Sequence, residues 1–522
     1  MAKVPIVKVT FGLRHNIIAN FAGKAWLVLM NLAFMPLYLK FMGIEAYGLV
    51  GIFVSLTVLL SVLDLGLSTT VNRELARLSA TSDNAKAMRD TVRTFEILYW
   101  IIGTLLGGGV AALSPLIARY WLNSQGLPVS VVTQAVMLMG LLIAFQWPTA
   151  LYSGGLLGLQ RQVLLNMVIA AMATLKGVGA VLVLALFQPT IQAFFTWQIL
   201  VTAVLTFVLA ICLWQVLPAK HQTGVFRKKL LMSNWRFATG MMGISIVVAI
   251  LTQLDKVILS RQLTLEMFGY YSIASAVGVG LSFLASPVFS ALFPHFTQLV
   301  SEGRQSDLTR LYHRACQLVS IIVLPISIVV ILFAPEVLSL WLRDPTTVQN
   351  TRFLFSLIAA GTTLNSLVSL PYALQLAHGW TKLSFYKNVV SVIILVPLMN
   401  LFILWWGAVG AAIAWILLNA GYLLIEVPIM HTHLLRGSMA RWYLVDVGLP
   451  SAIILSIVGA ARWLFPGDAS MSVSVVWILL TFLLALCCSV LALPATREWA
   501  QKGVVDFGSS IQSQVRHTFG AS

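Results

Sequence analysis

A chain of 522 residues in which 59% of side chains are apolar and only 10% charged is not an ordinary soluble protein, whose charged share is about 25%. The formal charge of +16 would suit nucleic acid, but the basic residues lie in short segments between long apolar runs, which excludes a nucleic-acid-binding domain. The longest polar stretches, Asn72–Thr94 and the tail from Pro494, are too short for a soluble catalytic domain.

Crossing the hydrocarbon takes about 20 apolar residues, and fourteen such runs follow one another. They cover 16–39, 47–71, 95–118, 131–157, 163–187, 191–217, 237–260, 269–295, 315–334, 353–377, 388–406, 408–430, 443–465 and 470–493. The first has no small-residue cleavage site behind it and reads as a retained helix. At helical periodicity it carries Asn16, Asn20, Lys24 and Asn31 on one face, and span two likewise carries Thr57, Ser61, Asp64 and Ser68. Span four has a softer stripe of Gln146, Thr149 and Ser153, and span five a solitary Lys176. In span seven Ser245, Thr252, Lys256 and Ser260 share a stripe flanked by Gln253 and Asp255, and span ten presents Thr362, Asn365 and Ser369. The pair His431 and His433 after span twelve reads as a solvated loop and not as a metal site.

Placing the N-terminus in the cytoplasm puts 24 of the 33 lysines and arginines inside, among them Arg73, Arg77, Arg227, Lys228 and Lys229. Only Lys40, Arg119, Arg261, Arg343, Arg352 and Arg462 fall outside. This asymmetry obeys the positive-inside rule, so the basic excess records topology, and both termini come out cytoplasmic. Cys212, Cys316, Cys487 and Cys488 lie in apolar segments without metal-ligand spacing and read as small buried hydrophobes.

Similar strings recur about 220 residues apart. Glu45-Ala46-Tyr47-Gly48 finds Glu266-Met267-Phe268-Gly269, Pro148 to Tyr152 finds Pro371-Tyr372, Asn166 finds Asn388, and Trp197 finds Trp415. Duplicated units of six spans enter the membrane in the same orientation, so a substrate site is expected between them. The expected fold is an all-α polytopic membrane protein of about 14 transmembrane helices. Its parts are an N-terminal six-helix lobe (1–217), a basic cytoplasmic linker (218–236), a C-terminal six-helix lobe (237–430), two extra helices (431–493) and a cytoplasmic tail (494–522).

Small and hydroxylated stripes often serve helix packing, which is the reading for Thr57, Ser61, Thr362 and Ser369. Charges at depth cost roughly 2.5 to 3.5 kcal/mol each near the bilayer centre and point to function. The first helix of each repeat carries a lysine on a polar face, Lys24 and Lys256, and two such cations would attract a phosphate-bearing solute. Asp64 and Asp255 would respond to H⁺ or Na⁺, because burial disfavours a charged carboxylate. No P-loop, HExxH, GxSxG or DxD string occurs, so the chain reads as a transporter driven by a gradient and not as an enzyme.

At Pro36-Leu37-Tyr38-Leu39, Gly43-Ile44-Glu45-Ala46-Tyr47-Gly48, Leu63-Asp64-Leu65-Gly66-Leu67 and Asn72-Arg73-Glu74-Leu75-Ala76 the chain resembles a known family. The likeness continues at Gly158-Leu159-Gln160-Arg161-Gln162 and Gln253-Leu254-Asp255-Lys256-Val257-Ile258-Leu259. It resembles the Wzx-type polysaccharide flippases of the multidrug/oligosaccharidyl-lipid/polysaccharide exporter superfamily. That resemblance implies two lobes forming a V, alternating access, and transfer of a polyprenyl-diphosphate-linked oligosaccharide from the cytoplasmic to the periplasmic leaflet of the bacterial inner membrane. Lys24 and Lys256 would hold the diphosphate, with Arg73 at the inner mouth. Asn20, Asn31 and Gln253 would bind sugar hydroxyls, and Asp64 and Asp255 would couple transport to an ion. The two extra helices resemble those of lipid II flippases, whereas many O-antigen flippases have twelve spans. The partners implied are the lipid-linked oligosaccharide, membrane lipid, H⁺ or Na⁺, and a polysaccharide polymerase with its chain-length regulator. No cofactor, metal or nucleic acid is expected. The alternatives are a cation-coupled multidrug exporter of the same superfamily and a non-transporting scaffold of a polysaccharide synthesis complex.

Overall fold

In lipid a backbone can satisfy its polar groups only within itself, and long apolar runs therefore become helices. The computed structural model describes residues 13–64, 66–79, 84–218, 223–228, 230, 250–467 and 469–493, without the side chains of 13–19 and 381. Thirteen of its helices are long and apolar enough to cross a membrane, and each matches one expected span. The fourteenth, span seven, is described only from residue 250; its earlier part, with Ser245, lies outside the described residues, as does the tail from 494. The chain is an all-α, multi-pass membrane protein, and its contacts divide it into two compact units, Met1–Ser272 and Ile273–Ser522.

The first unit runs α1 (Leu13–Met42), α2 (Ile44–Ser61), α3 (Leu67–Leu78), α4 (Ala85–Leu116), α5 (Val129–Gly158), α6 (Gln162–Leu186), α7 (Ile191–Val216) and α8 (250–262), then the start of α9 (Leu265–Ser301). The second continues with α10 (Gln305–Leu332), α11 (Ala334–Leu342), α12 (Pro345–Ala377), α13 (Thr381–Trp406), α14 (Ala408–Gly421), α15 (Val427–Leu434), α16 (Met439–Arg441), α17 (Leu449–Trp463) and α18 (Met471–Ala492). Helix starts recur about 220 residues apart, at Ile44 and Leu265, Ala85 and Gln305, Gln162 and Thr381, in keeping with duplication.

Span two departs from expectation. It ends in a 3₁₀ turn at Val62–Asp64, and Gly66, at φ 73°, turns the chain into α3. A left-handed residue there suits glycine, which has no Cβ to clash. Ser68 thus belongs to the following helix and not to the stripe of Thr57 and Ser61. In the second repeat α9 runs unbroken from Leu265 to Ser301, with Pro287 and Pro294 inside it.

Buried Phe95, Tyr99, Tyr152, Leu156 and Leu213 form one core of the first unit. Phe296, Tyr312, Leu374, Met430 and Trp442 form one of the second. Helices α17 and α18 pack on α10 through Ile454, Val458, Ala485, Leu324 and Ile328. The described part of the expected linker lies against α4. The buried Asp90 carboxylate accepts from Val225 N at 2.9 Å and pairs with Arg227 at 2.6 Å, while Arg227 N donates to Thr94 Oγ1 at 3.0 Å.

Helices α4 and α5 approach through glycine. A Cβ on Gly107 would strike the Gly140 carbonyl, and one on Gly140 the Gly107 carbonyl, whereas Gly108 faces open space. Gly107→Leu is expected to destabilise the unit by about 1–3 kcal/mol, the usual cost of overpacking, and Gly108→Leu by almost nothing. Thermal unfolding in detergent checks the contrast; equal midpoints for the two variants would refute the close-packing account.

Candidate functional site

A cleft of about 140 Å³, with polar groups set in a mainly apolar lining, opens within the first unit between α2 and α5. Thr57, Leu60, Ser61 and Asp64 line one wall; Ile143, Gln146, Trp147, Thr149 and Ala150 line the other. The stripes expected in spans two and four therefore meet. Several hydroxyls are turned back onto their own helices, Thr57 Oγ1 to Phe53 O at 2.9 Å, Ser61 Oγ to Val58 O at 2.6 Å and Thr149 Oγ1 to Gln146 O at 2.5 Å. Such bonds satisfy hydroxyl protons locally.

The break after α2 sets the chemistry of the cleft. Asp64 Oδ2 accepts from Ser68 Oγ at 2.7 Å and Ser68 N at 3.2 Å, and its Oδ1 accepts from the Tyr99 hydroxyl. A carboxylate at the N-terminus of α3 is favoured by the helix dipole and its unpaired N–H groups. Across the cleft, Trp147 Nε1 is buried with no hydrogen-bond partner among the described residues. An indole face can stack on a sugar or another polar ring. The volume suits one small polar group or a few waters, below the about 300 Å³ at which ligand pockets usually begin.

The other expected residues lie apart from this cleft. Asn20 Oδ1 accepts from Asn166 Nδ2 at 2.7 Å, and Trp26 Nε1 donates to Thr174 Oγ1 at 2.9 Å, so this part of α1 is stitched to α6. Lys24 is exposed on α1, with no ion pair among the described residues, and Arg73 is exposed on α3. Asn31 is exposed and donates to Leu27 O at 3.0 Å. On α8, Lys256 Nζ reaches Gln253 Oε1 at 3.4 Å. Asp255 Oδ2 accepts from Tyr271 OH at 2.6 Å, and its Oδ1 is buried without a hydrogen-bond partner among the described residues. Lys24 and Lys256 thus occupy separate helices with different neighbours.

Three polar groups escaped the sequence reading. Trp147 stands beside Gln146 in span four, where a tryptophan next to an amide was the available signal. Lys387 and Glu426 pair at 2.9 Å in the second unit, with Gln375 Nε2 donating to Glu426 Oε1 at 2.9 Å; a glutamate inside span twelve was the missed sign. His431 corrects an expectation: it is buried and not solvated, with Nε2 3.3 Å from Tyr312 OH and Nδ1 2.9 Å from Val427 O. The chain after α14 stays helical there, which keeps His431 inside while Thr432 and His433 emerge.

The profile of a family described as polysaccharide biosynthesis protein matches residues 40–344. A Shigella flexneri protein described as an O-antigen transporter is 21% identical over 402 residues, covering 77% of this chain and 93% of that protein. Among solved structures, the lipid II flippase MurJ in an inward closed conformation superposes with TM-score 0.65 at 12% identity, over 90% of this chain and 98% of MurJ. An inward-facing multidrug resistance MATE transporter superposes with TM-score 0.57 at 15% identity, over 82% and 97%. The fold is therefore shared with both kinds of transporter.

Proposed function

The chain belongs to the family of polysaccharide biosynthesis proteins, and from that membership we propose that it is a flippase for a polyprenyl-diphosphate-linked oligosaccharide. It would act in the bacterial inner membrane, with both termini cytoplasmic, moving an O-antigen or exopolysaccharide repeat unit from the cytoplasmic to the periplasmic leaflet. The observation that carries this reading is a cleft in the first unit lined by Asp64, Gln146 and Trp147 together with the hydroxyl-bearing Thr57, Ser61 and Thr149. The physical problem is to move a polar headgroup while its tail stays in lipid. A polar path across the membrane, opened alternately to each side, solves it.

In this reading the exposed Lys24 and the half-buried Lys256 attract the diphosphate as point charges, Arg73 serves the entrance, and Asn20, Asn31 and Gln253 meet sugar hydroxyls. Asp64 and Asp255 couple the cycle to H⁺ or Na⁺; the buried Asp255 Oδ1, without a hydrogen-bond partner among the described residues, supports that role. A polymerase and a chain-length regulator would receive the product.

Flipping of a polyprenyl-diphosphate oligosaccharide in proteoliposomes, with and without a pH or Na⁺ gradient, tests the proposal. Lys24→Ala with Lys256→Ala is expected to lower the rate at least ten-fold at equal protein load; an unchanged rate would remove the cationic site. One observation favours a second reading. The cleft offers a carboxylate and an indole and no lysine, which suits a cationic amphipath. Gradient-driven efflux of a cationic dye without lipid flipping would move the assignment to a drug exporter.

A further inference from the structure

Residues 223–228, which follow α7, are strapped to the first turns of α4 by their backbone. Asp90 accepts from Val225 N at 2.9 Å and pairs with Arg227, and Thr94 Oγ1 accepts from Arg227 N at 3.0 Å. Gly224 permits the close approach, since a Cβ there would strike the Arg89 carbonyl. Between the two bonded amides, Val225 and Phe226 remain 53% and 45% exposed. An aliphatic and an aromatic side chain are thus held in the open beside the exposed Arg227 and Lys228.

We propose that this strap is a binding site for an anionic phospholipid, whose phosphate meets the cations while its upper acyl region meets Val225 and Phe226. The face of α4 that the strap occupies is the one that runs on into lipid. At 100° per residue Asp90, Thr94, Ile101 and Leu105 fall within about 60° of one another. Ile101 and Leu105 are 52% and 69% exposed, and a Cβ on Gly108 would meet open space, as a lipid-facing stripe requires. Seven residues separate Thr94 from Ile101, about 10 Å along the axis at 1.5 Å per residue. The strap therefore sits where that stripe leaves the hydrocarbon. Trp214, two residues before the end of α7 and 5.2 Å from the Arg89 guanidinium, marks the same level, where tryptophan is enriched.

Charge around the strap is sorted by depth. Asp90 and Glu96 are buried, the first against Arg227 and the second against Arg93. Lys86, Arg93, Arg227 and Lys228 are exposed, so the carboxylates fix the strap from beneath and the outward charge is positive. A soluble acidic partner would use the cations and leave Val225 and Phe226 in water. An anionic lipid uses both, because basic segments beside a membrane helix attract anionic headgroups and neighbouring apolar side chains enter the headgroup–acyl boundary.

This inference goes beyond the proposed flippase, and its test needs neither a lipid-linked oligosaccharide nor a gradient. Full-length protein with photoreactive p-benzoylphenylalanine in place of Phe226 is reconstituted in phosphatidylethanolamine containing about one-third phosphatidylglycerol. After irradiation its lipid adducts are identified by mass spectrometry, and the same probe in place of Leu105 samples the bulk lipid. The phosphatidylglycerol share at position 226 is expected to exceed that at position 105 at least three-fold. Lys86→Gln with Lys228→Gln should return it to the bulk value while leaving the Asp90 and Thr94 contacts in place. If the position-226 protein does not accumulate, Val225 carries the probe. Lipid captured at position 105 but at neither strap position would overturn the proposal and leave a strap in water. Equal shares at the two depths, or an enrichment that survives Lys86→Gln with Lys228→Gln, would overturn it as well. An enriched adduct in a protein that does not flip the oligosaccharide would refute the flippase reading alone.

Discussion

Asp64→Ala is expected to be the most damaging single change in the first unit, lowering stability by roughly 3 kcal/mol or more and stopping transport. Three donors converge on this carboxylate: the Tyr99 hydroxyl, Ser68 Oγ and Ser68 N. Tyr99 is fully buried and Ser68 half-buried, so water cannot replace the lost acceptor at the tyrosine, and an orphaned buried polar group costs about 1–3 kcal/mol. The same residue ends α2, receives the first turn of α3 and edges the cleft. Its removal therefore loosens the break at Gly66 as well as the site.

Asp64→Asn separates the two contributions. An amide oxygen can still accept from Tyr99 or from Ser68, but its NH₂ must then face a donor, so a smaller loss of about 1–2 kcal/mol is expected. Tyr99→Phe deletes one donor and leaves the carboxylate held by Ser68, with a cost near 1 kcal/mol. Thermal midpoints in detergent rank the three variants, and proteoliposome flipping measures activity on the same preparations. If Asp64→Asn folds normally yet no longer responds to a gradient, the charge itself matters. If it flips as the parent does under the same gradient, Asp64 is a structural cap and ion coupling must lie elsewhere, at Asp255 in the first instance.

The spans were legible because lipid imposes one rule on every backbone group, and thirteen of the expected runs are helices, although those at Ala85, Gln305 and Pro345 begin well before the apolar runs drawn at 95, 315 and 353. The partnerships were not. Periodicity put Thr57, Ser61 and Asp64 on one face, and the cleft uses that face, but no local signal told that Tyr99, 35 residues on, would donate to Asp64. Span two was drawn too long because an apolar count does not register a left-handed glycine at Gly66. The stripe that carries Asn20 gave no sign that Asn166, 146 residues away, would donate to it. His431 was misjudged for a related reason. Chain position suggested a loop, while burial is decided by Tyr312, edge-on to the ring, and Trp442, tilted against it. Long-range pairing of polar groups is tertiary information, and in a membrane protein it is where the specific chemistry resides.

Lys387→Met is expected to destabilise the second unit by about 3–5 kcal/mol, the usual cost of leaving one partner of a buried pair uncompensated. Glu426 is almost wholly buried and receives Lys387 Nζ on both oxygens, at 3.0 and 2.9 Å, together with Gln375 Nε2. The ammonium is also 4.3 Å from the Tyr422 ring centroid and 5.2 Å from that of Tyr372, contacts worth about 0.5–2 kcal/mol for a cation over a ring. The two ends of the pair are not equivalent. The Lys387 side chain is 16% exposed and that of Glu426 only 2%, so a lysine deprived of its partner can turn its head outward, whereas the glutamate cannot. Glu426→Gln is therefore expected to cost less, about 1–2 kcal/mol, with the amide oxygen still accepting from Lys387. The double replacement Lys387→Met with Glu426→Leu should recover most of the loss, because packed apolar groups stabilise a buried position about as well as an ion pair. A double-mutant cycle on thermal unfolding measures this. A coupling energy near zero, or a Glu426→Gln loss larger than that of Lys387→Met, would show that the pair is solvated and that its burial in the unit has been misread. With strong coupling and a stable double variant that no longer transports, the pair would instead be kept for function, as the charge presented by the π-helical segment Tyr422–Glu426 suggests.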